Sequence, residues 1–185
     1  TVLDGTPILA RSLEITNTGK APAALADVAP WSGLLWNTPT ARGIFNFNPS
    51  FDETRDAKFL LGRLAGERIG YEGDFEWLPL PRESYAVERA FKGSSYATPY
   101  YILKNAVTGE LFFMGLAWSS NFAAKFSYRY DNLLLFRVGP TAPGPQRVLD
   151  PGETIVSPAV HLGPLRCNVE SAVGHWHTHM RRSVI

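Results

Sequence analysis

The sequence predicts an all-β fold, an antiparallel β-sandwich carrying one C-terminal helix. Three observations predict it. Sixteen glycines and 14 prolines punctuate the 185 residues throughout, so regular elements must be short. Several apolar stretches alternate with period two, and helical periodicity is confined to the last 18 residues.

The clearest strand runs from Phe122 to Tyr130. Phe122, Ala124, Phe126, Tyr128 and Tyr130 point one way, while Lys125, Ser127, Arg129 and Asp131 point the other. Asp131-Asn132 then leads into the apolar run Leu133 to Val138, and both residues tolerate the positive φ of a tight turn, so the two runs form a hairpin. Tyr100 to Lys104 and Leu111 to Trp118 form a second hairpin through Asn105-Ala106-Val107-Thr108-Gly109. Ile8 to Thr16 alternates as one strand before the turn signal Asn17-Thr18-Gly19. Further strands are expected over Ala23 to Val28, Gly66 to Tyr71, Ser84 to Ala90 and Glu153 to Val160. Asn37 to Lys58, rich in Pro, Asn and Asp, reads as a long surface loop.

Asn168 is a favourable N-cap, Glu170 falls in the first turn, and Val169, Val173, Trp176, Met180 and Val184 recur at helical steps. Arg181 and Arg182 occupy the last turn, where positive charge complements the helix dipole. The helix is expected over about residues 169–183, with its apolar stripe seated on a neighbour.

Composition narrows the function. A net charge of +1 gives no footprint for nucleic acid or an anionic membrane, and 45% hydrophobic residues are enough for a packed core. The single cysteine, Cys167, excludes an intramolecular disulfide. No apolar run approaches the ~20 residues that span a bilayer, and Asp4, Arg11 and Glu14 stand where a signal peptide would be apolar. A cytoplasmic location is the expectation. The chain opens directly on strand-like Thr1-Val2-Leu3, which suggests an excised segment.

Candidate chemistry is sparse. In His175-Trp176-His177-Thr178-His179, helical spacing puts only His175 and His179 on one face, and a metal needs a third ligand, with His161 or Glu170 nearest in sequence. The expected role is a polar helix flank, with no metal or other cofactor. Ser94, Ser95, Ser119, Ser120 and Ser157 lack a nucleophile-elbow context. Asp52, Glu53, Asp74 and Glu76 lie in polar, loop-like sequence and read as solvated charges, although paired carboxylates are what glycosidases use. The aromatic residues say more. Sugar rings stack on exposed aromatic faces while their hydroxyls seek Asn, Asp or Arg, which makes Trp118 with Asn121, and Trp31 to Asn37 with Trp31 and Trp36, candidate carbohydrate-facing positions. Core packing is the alternative use of these rings.

Several motifs occur together in an order that resembles the N-terminal β-supersandwich domain of glycoside hydrolase family 36, the alpha-galactosidases. They are Pro7 to Gly19, Gly62 to Glu67-Arg68, Gly93-Ser94-Ser95 through Pro99-Tyr100, Gly115 to Phe122, and Leu149-Asp150-Pro151-Gly152-Glu153 to Ser157-Pro158. Leu64 stands where the family has Trp, and Ser120 where it has Gly. The resemblance implies a sandwich that is the later portion of a galactose-mutarotase-like supersandwich, a single domain or fragment over 1–185. It also implies a C-terminal helix leading toward a catalytic (β/α)8 barrel. The family's two catalytic aspartates belong to that barrel, so no residue here inherits them. The expected function is an ancillary domain that supports the barrel and oligomer contacts. The competing expectation is a stand-alone carbohydrate-binding module. A third, a mutarotase-type enzyme, requires histidines and a carboxylate to converge.

Overall fold

The computed structural model describes residues 5–37, 58–65, 74–81, 84–90 (backbone), 98–129, 133–142 and 144–184. Its core is a sandwich of two antiparallel sheets. The larger is built from β1 (Leu9–Arg11), β5 (Phe59–Ala65), β6 (Asp74–Leu80), β8 (Tyr100–Asn105), β9 (Leu111–Leu116) and β14 (Val160–Leu165), in the order β1-β14-β9-β8-β5-β6. The smaller is built from β4 (Trp31–Asn37), β7 (Ser84–Ala90), β10 (Phe122–Tyr128) and β11 (Leu133–Pro140), in the order β4-β11-β10-β7. Two short ribbons complete the β structure: β2 (Glu14–Thr16) with β13 (Thr154–Val156), and β3 (Ala23–Leu25) with β12 (Arg147–Leu149).

Alternation dictates how the sheets meet. Phe122, Ala124, Phe126 and Tyr128 of β10 are all buried, and Phe126 lies opposite Phe136 of β11 in the ladder. These residues face Phe59 and Leu61 of β5, Tyr101 and Leu103 of β8, and Phe112 and Met114 of β9. Rings lock the two layers together: Phe59 meets Tyr128 edge-on at 4.8 Å, and Tyr101 meets Phe126 at 5.2 Å.

Both expected strand pairs are present, β8 with β9 and β10 with β11, although the Asp131-Asn132 connection of the second lies outside the described residues. In the one joining β8 to β9, the Asn105 side chain accepts from the Val107 and Thr108 amides, and Gly109 takes φ of 75°, which a side chain would resist. Strand β7 falls where the sequence places it, and β3 covers the first three residues, Ala23–Leu25, of the strand expected over Ala23 to Val28.

Other expectations need correction. Ile8 to Thr16 is two strands, because β1 pairs with β14 and β2 with β13. The chain changes partners at Leu13, whose amide donates to the Ser157 hydroxyl and whose carbonyl accepts from the Ser157 amide. Ser157 is thus held as a structural hinge. Glu153 to Val160 divides at the same place into β13 and the start of β14. Strands β4, β6 and β12 were not expected, β5 was anticipated only by the resemblance of Gly62 to Arg68 to a family strand, and Glu76 sits on β6 paired with Arg63 at 2.6 Å, not in a loop. Pro79 is compatible with β6 because that strand is the sheet's edge. The expected strand at Gly66 to Tyr71, and residues 38–57 of the expected loop, lie outside the described residues.

The helix α1 (Val169–His179) forms where its periodicity predicts and continues into a π-helical turn, Met180–Val184. The Asn168 side chain accepts from the Ser171 amide at 2.8 Å, capping the first turn. No described helix is long and apolar enough to cross a membrane.

Candidate functional site

The outer face of the six-stranded sheet carries a second apolar cluster beneath α1. Inward residues of β8, β9 and β14 fill the sandwich, so Tyr100, Ile102, Phe113, Gly115, His161 and Leu165 point to the other side, under α1. A row crosses this face from Ala10 through His161, Gly115 and Tyr100. Over it lies Trp176, stacked on Phe113 at 6.0 Å and meeting Tyr100 at 5.1 Å. Gly115 permits this approach: a Cβ there would lie 2.4 Å from the indole of Trp176. Gly62 does the same for the rings of Phe75 and Trp77.

Between α1 and the sheet runs a cleft of about 550 Å³, with Leu64, Phe75, Tyr100, Trp176 and Met180 among its apolar walls. His161 and His177 are also among the residues that line it. Burial pushes the Tyr100 phenol well above its usual range, so it is a neutral hydroxyl at physiological pH.

The histidine cluster is arranged differently from the expectation. His175 and His177 are exposed, but His179 is fully buried and is no polar flank. Its Nε2 lies 2.7 Å from Nδ1 of His161, itself 8% exposed. Burial first, and the adjacent His179 second, hold the His161 imidazole below its ordinary pKa. Of the two sequence candidates for a third ligand, His161 and Glu170, His161 meets the cluster, as a hydrogen-bond partner of His179. Among the described residues no three His, Cys, Asp or Glu side chains converge as a metal site.

The aromatic candidates separate into two groups. Trp31 and Trp36 lie on β4 with their rings against the core, Trp31 stacked on Phe136 and Trp36 on Phe59. The guanidinium of Arg11 lies 4.8 Å from the ring centroid of Trp31. Trp118 is 42% exposed just beyond β9, and its indole N–H donates to the Asn121 carbonyl at 3.0 Å. Trp118 and Asn121 are therefore brought together, apart from the β4 pair. Sequence reading missed the seating of Trp176 on Gly115. The available signal was a glycine inside an apolar strand together with a Trp on the helical stripe.

These elements define a two-sheet antiparallel β-sandwich flanked by a C-terminal helix. No family model matches the chain, and no curated protein sequence matches it. Solved structures do. The galactosidase domain of the alpha-galactosidase-sucrose kinase AgaSK is similar at a TM-score of 0.75 and 20% identity, over 95% of this chain and 22% of that one. The alpha-galactosidase from Lactobacillus brevis is similar at 0.72 and 15%, again over 95% and 22%. The GH36 alpha-galactosidase AgaB from Geobacillus stearothermophilus is similar at 0.73 and 17%, over 96% and 22%. The chain thus shares its fold with part of these proteins and spans about a fifth of their length.

Proposed function

We propose that this chain is the non-catalytic N-terminal β-sandwich domain of an alpha-galactosidase-like glycoside hydrolase, one that supports a catalytic (β/α)8 barrel and contributes to oligomer contacts. The observation that carries the reading is fold likeness over 95% of this chain to proteins more than four times its length. The ordered motifs from Pro7 to Pro158 support the same family. On this reading the sandwich core supplies rigidity, while α1 and the cleft beside it face the rest of the enzyme. Two buried polar side chains serve the fold: the Ser157 hydroxyl accepts from the Leu13 amide between β1 and β2, and Asn17 donates to the Ala21 and Leu149 carbonyls.

The test is turnover of an aryl α-galactoside. The 185-residue chain alone is expected to release no product above the buffer rate, and the full-length protein of the reading frame that contains it, extended on both sides as far as the frame runs, is expected to release it. Turnover by the shorter chain, or none by the longer, overturns the reading.

A second reading, a carbohydrate-binding module, draws support from the exposed Trp118 ring, fixed by its hydrogen bond to Asn121. Stacking of a sugar on that face needs no catalytic group.

A further inference from the structure

The outer face of the four-stranded sheet has a different character from that of the larger sheet. Ala124, Phe126, Phe136 and Val138 point into the core, so Lys125 of β10 and Arg137 of β11 point outward. The ladder sets these two cations directly opposite each other, with Ser32 of β4 and Val87 of β7 as their other ladder partners. Like charges so placed repel. One carboxylate offsets them: Asp27, from the segment between β3 and β4, meets Arg137 at 2.7 Å. Among the described residues no carboxylate pairs with Lys125.

Lys125, Arg137 and Asp27 line a second cleft, of about 390 Å³, in which the small residues Ala123 and Gly139 leave room beside the charges. The segment that carries Asp27 crosses β11 so closely at Gly139 that a Cβ there would collide with the Val28 carbonyl. The opposite wall begins at Pro140, whose carbonyl accepts from the Gln146 side chain at 2.6 Å, while the Gln146 amide donates to the Leu25 carbonyl at 2.7 Å. Backbone contacts on both sides therefore hold the cleft open.

We propose that this cleft binds a small hydroxylated carboxylate of the sugar-acid class, its carboxylate taken by Lys125 and Arg137. Charge selects the class. Two cations and one carboxylate leave the lining one positive charge in excess, so a monoanion balances it, whereas a phosphate dianion overshoots and is opposed by Asp27. Hydroxyls are provided for as well, because the Asp27 carboxylate has acceptor sites beyond the one that meets Arg137. At one end the Thr141 amide and the Trp118 indole N–H donate to the same Asn121 carbonyl, each at 3.0 Å, which sets the exposed Trp118 ring beside a residue of the cleft lining. The site stands on the charges of the cleft and does not depend on the proposed parent enzyme or on stacking at Trp118.

NMR titration of the isotope-labelled 185-residue chain with galacturonate, its methyl ester and inorganic phosphate tests it. Galacturonate is expected to move the amides of Ala123, Gly139 and Thr141 saturably. It should bind about tenfold or more tighter than the ester, which keeps the ring hydroxyls and lacks the charge, a ratio that one charge-assisted hydrogen bond supplies. Lys125→Gln is expected to remove most of that preference. Phosphate should bind more weakly than galacturonate, and Asp27→Asn, which leaves two positive charges in the lining, should narrow the gap. Trp118→Ala is expected to leave the acid-over-ester ratio unchanged, which separates this site from sugar stacking on that ring.

Absence of saturable shifts in the cleft, equal binding of acid and ester, or an acid preference that survives Lys125→Gln overturns the site. Phosphate binding tighter than galacturonate in the wild type overturns the carboxylate class. The wild-type comparison of acid with ester decides the matter even where a variant misfolds.

Discussion

The two faces of the six-stranded sheet solve the same problem with different chemistry. The inner face is a broad aromatic and aliphatic core shared with β10 and β11, where Phe59, Phe122 and Phe126 are essentially inaccessible. The outer face is covered by one 11-residue helix, through a smaller cluster of Ile102, Leu111, Phe113, Leu165 and Ala172. Stability is expected to reside in the first and adjustability in the second, because small clusters under a single element open at lower cost than the global fold.

The largest effect is expected from breaking the inner face. Phe126→Ala removes a fully buried ring that contacts Tyr101 and lies across from Phe136. A loss of about 3–5 kcal/mol is expected in urea unfolding, comparable to the whole stability of many domains. A loss under about 1 kcal/mol would mean that the two sheets are not packed as described.

The outer face is tested by filling the space that seats Trp176. Gly115→Ala sets a methyl 2.4 Å from the indole, so the helix must shift, at a cost of about 1–3 kcal/mol. Trp176→Leu in the same chain should recover much of that loss, since the smaller side chain vacates the contested volume. Two independent losses that simply add would show that the residues do not touch. One step smaller is Asn168→Ala, which removes the cap on the Ser171 amide; about 1 kcal/mol is expected, with exchange protection falling first in α1.

The two faces were also unequally legible in sequence. β10 faces a core on one side only, so its Phe-Ala-Phe-Tyr alternation identified the strand, its buried face and its hairpin partner. β9 is buried along its whole length, with Phe112, Met114 and Leu116 in the inner core and Leu111, Phe113 and Gly115 beneath α1. Its apolar run announced a strand but not what covered either face. The division at Leu13 was invisible because both halves alternate; what separates them is a change of partner fixed by Ser157, 144 residues away. β6 was obscured by Pro79 and by aromatic residues on its outward positions, features that an edge strand accommodates. The meeting of His161 with His179 depends on the register of β14 against β9 and on the seating of the helix, neither of which residue spacing encodes.

The smallest stability effect is expected at Trp118, and there the comparison turns from folding to binding. Its ring stands 42% exposed beyond the end of β9, outside both apolar clusters, and its indole N–H reaches only a backbone carbonyl three residues on. Trp118→Ala should therefore change unfolding free energy by no more than about 0.5 kcal/mol, as is usual for surface positions. If the exposed face stacks on sugar, titration of galacto-oligosaccharide followed by NMR should move the Trp118 indole resonance in the wild type, and the variant should lose saturable binding. Trp36, stacked on Phe59, should behave in the opposite sense: replacing it by Ala should weaken the fold and leave any binding at Trp118 in place. Binding unchanged by Trp118→Ala would remove the support for a carbohydrate site on this loop, while a large loss of stability would assign the ring to the scaffold.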